Sequence, residues 1–194
     1  MTEMRAGLPI IGFADAAAFE HWIEAQPPDA PGLWVKFSKT GSGVASVSKT
    51  EAIDVALCHG WIDGQLERYD EASWLTRFTP RKPRSKWSQI NRTRALQLIK
   101  QGRMRPLGLA QVEAARADGR WEAAYAPSST AEPPPDLQAA LNANPKAAAF
   151  VATLKGANRY AVLYRIAAVK KPETRARKIA GFIAMLERGE TIHG

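Results

Sequence analysis

"WIDGQLERYDEASWLTRFT" (61–79) decides how this chain is read. "WIDGQLERY" (61–69) and "SWLTRFT" (73–79) both alternate apolar with polar residues, and "DEA" joins them. Period two is the pattern of a half-buried strand, so the stretch reads as a hairpin. Trp61, Asp63 and Gln65 then share one strand face, and Trp74 and Phe78 share another, which reads as core. The register is not legible, because a slip of one residue swaps every side chain between faces. Whether Asp63 or Gln65 sits beside Arg77 therefore stays open.

Upstream, "GLWVKFSK" (32–39) alternates in the same way and adds a strand, with Leu33, Val35 and Phe37 inward. Before it, Asp15 is an N-cap, and Phe19, Trp22 and Ile23 follow at helical spacing. Pro27 and Pro28 stop that helix. Ser48-Lys-Thr-Glu51 fits a capping box and opens a helix to about Cys58 with Ala52, Ile53, Ala56 and Leu57 buried. The loop between, "TGSGVAS", has two glycines but lacks the full phosphate-loop pattern.

Downstream, helices are expected over 87–101 and 106–118, the first with Ile90, Ala95, Leu98 and Ile99 inward. "APSSTAEPPPD" (126–136) reads as a Pro/Ser-rich linker and the segment most open to proteases. Everything beyond it reads helical. Asn144-Pro145 opens one helix, and Ile179, Phe182, Ile183 and Leu186 mark the face of the last. The expected fold is α+β: a small antiparallel sheet with packed helices in 1–125, the linker 126–136, and a helical C-terminal subdomain in 137–194.

With 194 residues, 45% of them hydrophobic, the chain buries a core without disulfides, and its one cysteine, Cys58, allows none. The apolar run after the N-terminus is broken by Pro9 and Gly12, unlike a signal peptide, and no window approaches the roughly 20 apolar residues of a membrane span. The expectation is a cytoplasmic protein with no membrane insertion.

The net charge of +8 is concentrated. Ala72 to Val112 holds ten Lys and Arg and no acid, so the rest of the chain is slightly acidic. Within it, "RFTPRKPRSKWSQIN" (77–91) leaves a strand, turns at Pro80 and Pro83, and enters a helix that Ser85 or Ser88 can cap. Unpaired N–H groups and the positive dipole end of a helix start favour anions, and arginine forks suit carboxylate and phosphate. Arg77, Thr79, Arg81, Lys82, Arg84, Ser85, Trp87, Ser88 and Asn91, with Trp61 and Asp63 on the hairpin, form the candidate anion site. On this reading Arg81 and Arg84 are exposed, and replacing both by Gln leaves stability nearly unchanged. The partner is an anionic small molecule or an anionic macromolecule, nucleic acid being one alternative. A second alternative is an enzyme acting on a phosphorylated or carboxylated substrate, with Asp63 as acid/base.

Other patterns carry less. Cys58 and His59 are adjacent on a helix and point apart, so they form no nucleophile–base pair. His21 and His193 offer no metal spacing, and no metalloprotease, hydrolase or dinucleotide fingerprint occurs, so no cofactor is expected. Lys170, Lys171, Arg175, Arg177 and Lys178, opposed only by Glu173, read as a solvated basic face that could extend the basic surface.

Four stretches, "LCHGWIDG" (57–64), "RFTPRKPRSKWSQIN" (77–91), "MRPLGLAQVEAARADGRW" (104–121) and "KKPETRARKI" (170–179), resemble in this order the bacteriocin-protection, YdeI/OmpD-associated protein family. The resemblance implies bacterial stress or bacteriocin resistance and association with an outer-membrane porin. It implies no established reaction.

Overall fold

The computed structural model describes residues 2–193 and divides after Ala124 into two compact units. In the first, the hairpin forms as β4 (Trp61–Arg68) and β5 (Ser73–Pro80). They join β1 (Met4–Arg5), β2 (Leu8–Gly12) and β3 (Leu33–Ser38) in a five-stranded sheet of order β1-β2-β3-β5-β4. The sheet is mixed rather than purely antiparallel, because β2 runs parallel to β3. Parallel neighbours need a crossover, and α1 (Ala16–Glu24) supplies it. "LPIIG" hides this strand: Pro9 and Gly12 look like breaks, yet Pro9 sits on the thinly paired β1 side.

Helices α1 and α2 (Lys49–Cys58) carry the expected caps: Asp15 accepts from Ala18 N, and Ser48 and Glu51 complete a capping box. Their apolar faces meet Leu33, Val35, Phe37 and Phe78 of the sheet. The rings of Phe19 and Phe78 meet edge to face at 5.5 Å. The opposite sheet face is covered at Leu8, Trp34 and Leu75.

Two more helices, α3 (Gln89–Lys100) and α4 (Pro106–Ala117), build a second core with Leu57, Cys58, Trp87, Leu98, Val112 and Trp121. On α3, Ala95 and Leu98 face inward, but Ile90 in the first turn is exposed instead of buried. The helix starts two residues later than its apolar pattern suggests, capped by Ser88.

The second unit contains α5 (Pro135–Asn142), α6 (Pro145–Thr153), α7 (Gly156–Ala167) and α8 (Pro172–Glu187). Leu137, Leu141, Ala147, Val162, Ile166, Ile179, Phe182 and Leu186 form its core. Arg175 is not merely solvated: it pairs with Asp136 and donates to the carbonyl of Ile166 at 2.6 Å, tying α8 to α5 and α7.

The Pro/Ser-rich stretch is held by this unit. Tyr160 Oη donates to the Ala126 carbonyl at 3.0 Å, Arg159 to the Ala131 carbonyl at 2.9 Å, and Ala131 is buried. By contrast, Thr40 to Ala45 is mostly exposed, with Gly41 and Gly43 in the left-handed region. Limited proteolysis with a nonspecific protease is expected to cut first within 40–46. A first cut within 126–136 contradicts this ordering.

Candidate functional site

The basic segment borders a cavity of about 600 Å³ at the β4–β5 edge of the sheet. Residues Pro28–Pro31 form one wall and Pro80–Pro83 another, with Asp63, Gln65, Arg77 and Thr79 between. Two backbone features shape it. Gly32 has φ +104°, and a Cβ there would lie 2.4 Å from the Phe78 carbonyl oxygen, so only glycine lets this wall lie against β5. On β4, Asp63 pairs with Phe78 while Leu66 pairs with Thr76, which leaves one extra residue on the edge strand. Such a bulge re-aims side chains at a sheet edge.

The register also answers where Asp63 stands. Directly paired residues share a pleat face, so Asp63 goes with Phe78, while Arg77 and Thr79 go with Ile62 on the other face. Asp63 and Arg77, from opposite pleat faces, both line the one cavity at the β4 edge of the sheet.

The cavity thus gathers Asp63, Arg77, Thr79, Arg81 and Lys82 from the candidate set, and adds Asp29 and Gln65. Lys82 and Arg77 are exposed cations at its rim. Arg81 is different. Only 6% exposed, its guanidinium carbon stands 3.7 Å from the centre of the Trp87 ring, and Nη1 donates to the Lys86 carbonyl at 3.1 Å. Its own N–H donates to the Gly60 carbonyl at 2.9 Å, which joins the segment to the α2–β4 turn.

The remaining candidates serve the local fold. Ser85 Oγ accepts from Lys82 N at 2.9 Å, and the Ser85 carbonyl accepts from Arg120 at 2.8 Å. Ser88 Oγ accepts from Asn91 N at 3.0 Å, so the first turn of α3 spends part of its donor capacity on its own cap. Trp87 is buried, its ring 4.9 Å from that of Trp121. Arg84 is exposed, and Arg84, Ser85, Trp87, Ser88 and Asn91 do not line the cavity. Trp61 lines a different one.

That second cavity, about 320 Å³, is lined by Glu24, His59 and Arg105, which meet Glu20 in a cluster the sequence did not announce. Glu20 and Glu24 are one turn apart on α1, and His59 is the C-cap of α2. His59 Nε2 lies 3.1 Å from Glu20 Oε1, and Arg105 Nη2 lies 3.2 Å from the same oxygen and 3.5 Å from Glu24 Oε1. The His59 contact holds the Glu20 carboxyl below the usual range, aided by Arg105 and opposed by partial burial. The E-x-x-x-E spacing was visible in the sequence, but nothing local ties it to His59, 39 residues away, or to Arg105, 85 away. Next to His59, burial pushes the Cys58 thiol up to about 11, which leaves it protonated and unreactive near neutrality.

A mixed-sheet α+β unit joined to a helical unit, with no helix among the described residues long and apolar enough to cross a membrane, defines the class of this protein. Residues 11–111 match the family described as Domain of unknown function (DUF8412), and residues 130–189 match the family described as Bacteriocin-protection, YdeI or OmpD-Associated. The first match takes in more than half of the chain, which belongs to that family; the second unit carries the YdeI or OmpD-associated domain. Among the four resembling stretches, 170–179 lies inside the second match, whereas 57–64 and 77–91 lie inside the first. No curated protein and no solved structure matches the chain.

Proposed function

We propose that the α+β unit binds a small anionic molecule in the cavity between Pro28–Pro31 and Pro80–Pro83. The observation that supports this reading is the convergence of Arg77, Lys82 and Thr79 on one concave space. Its volume, about 600 Å³, falls in the usual range for small-molecule sites. Arg77 and Lys82 meet the charged group, and Asp63 and Gln65 take hydroxyl or amine donors from the rest of the ligand. Asp29 and Asp63 in the walls weigh against a nucleic acid, whose successive phosphates would meet both carboxylates. The description of the family matched by 130–189 adds bacteriocin protection as a setting for such binding.

Titration with inorganic phosphate, small carboxylates, a nucleotide panel and short DNA and RNA, each at several salt concentrations, tests this. Arg77→Gln or Lys82→Gln is expected to weaken binding about tenfold, in line with a lost charge-assisted contact. A single-group ligand gives a shallow salt slope, whereas nucleic acid gives a log–log slope of about −0.9 per phosphate. If the parent binds none of these, or the variants bind equally well, the reading is wrong. If the bound species turns over, Asp63→Asn decides between binding and chemistry: lost turnover with retained affinity makes Asp63 the acid/base.

A further inference from the structure

We propose that Glu20, Glu24 and His59 form a site for a divalent transition-metal ion of the zinc type, with Arg105 as the cation that exchanges with it. This inference does not rest on the anion cavity: its three ligand residues line no part of that cavity.

Glu20, Glu24 and His59 each place one ligand atom within 4.8 Å of the other two. The Nε2–Oε1 separation of 3.1 Å between His59 and Glu20 approaches the roughly 3.3 Å between ligands of a tetrahedral ion with bonds of about 2.0–2.1 Å. The helix supplies two carboxylates from one face, i and i+4. The third ligand comes from the end of α2, where the chain is fixed on both sides. Arg105 N donates to the Cys58 carbonyl at 3.0 Å, and Arg81 N donates to Gly60. His59 itself is 7% exposed, so its ring is held by packing.

Charge and ligand type narrow the ion. Two carboxylates against one guanidinium, with an imidazole beside them, make a donor set for a cation rather than an anion. Arg105 is half exposed and reaches in from the N-terminus of α4, so it can swing out. One imidazole with two carboxylates suits zinc-like ions better than magnesium or calcium, which prefer all-oxygen sets. Three protein ligands leave a fourth position open, and the cavity beside Glu24, His59 and Arg105 gives it room for water or a ligand. A purely structural ion-pair cluster would need no such opening.

The test is titration of tag-free, full-length protein with Zn²⁺, Co²⁺ and Mg²⁺. Heat and competition with a chelator are followed for Zn²⁺ and Mg²⁺, and the visible spectrum for Co²⁺. Zn²⁺ and Co²⁺ are expected to bind one per chain, Co²⁺ with the intense absorption of a four-coordinate site, and Mg²⁺ at least a hundredfold more weakly. Glu24→Gln keeps the fold, because Glu24 is exposed and meets Arg105 at the surface, and it is expected to weaken Zn²⁺ at least tenfold. Arg105→Ala removes the competing cation and is expected to tighten Zn²⁺ several-fold. Absence of Zn²⁺ and Co²⁺ binding overturns the proposal, as does equal binding by Glu24→Gln. Weaker binding by a folded Arg105→Ala shows that Arg105 does not exchange with the ion, and overturns that part.

Discussion

Gly108→Ala is expected to destabilise the α+β unit by about 3 kcal/mol, the upper range for forcing one extra carbon into a packed core. Gly108 lies inside α4, where its backbone crosses the end of α2. A Cβ there would stand 2.2 Å from the Cys58 carbonyl oxygen and 2.7 Å from that of Leu57. Both obstacles are backbone, so no side chain can rotate away. The helices must separate, and the cost falls on the second core around Leu57, Cys58, Val112 and Ala115. It also moves Arg105 and His59, which flank this crossing, so the Glu20–His59 contact should loosen in whatever folded fraction remains. In α8, Gly181 has nothing within 4 Å of its would-be Cβ. Gly181→Ala is therefore expected to stabilise by up to about 1 kcal/mol through helix propensity. Urea unfolding of both variants beside the parent gives the comparison. A Gly108→Ala protein within about 0.5 kcal/mol of the parent would mean that α4 and α2 do not pack this closely.

The elements that came through from the sequence were those whose signal is local. Asp15, Ser48 and Asn144 announced their helices through caps that operate within three residues, and the hairpin announced itself by alternation. β2 did not, because its pairing to β3 is set across an intervening helix and its own residues include Pro9 and Gly12. The Pro/Ser-rich stretch looked unable to pack because its side chains are small. The structure holds it by its carbonyls instead, through Tyr160 and Arg159, donors some thirty residues away. The same distinction runs through the basic segment. Its charge was legible as composition, and Arg77 and Lys82 do line a cavity. Which of the other cations are surface and which are core depended on Trp87 and Trp121 meeting, a contact that no spacing within 77–91 encodes. The Glu20, Glu24, His59 and Arg105 cluster draws on α1, the end of α2 and the start of α4, so only the fold assembles it.

Arg81 makes that distinction measurable. As an exposed cation it would tolerate Gln with almost no loss of stability. As placed, it is expected to cost about 2 kcal/mol when replaced by Gln, near the value of a desolvated cation–π contact. The guanidinium covers the Trp87 ring at 3.7 Å and satisfies the Lys86 carbonyl. Gln is shorter, uncharged and lacks the planar fork, so it neither stacks as well nor spans the same donors. Lys retains the charge but not the plane, and Arg81→Lys is expected to recover only part of the loss. Arg84→Gln, three residues on and exposed, is expected to stay within about 0.5 kcal/mol of the parent. The two substitutions also differ in what they do to binding. Arg84→Gln should leave the affinity of the 77–82 cavity unchanged, since Arg84 does not line it. Arg81→Gln should weaken that affinity only as far as the Pro80–Pro83 wall shifts when the Trp87 stack is lost. Urea unfolding followed by tryptophan fluorescence compares the stability of each variant with that of the parent. Equal stability of the Arg81→Gln and Arg84→Gln proteins would return Arg81 to the solvated surface that the sequence alone suggested.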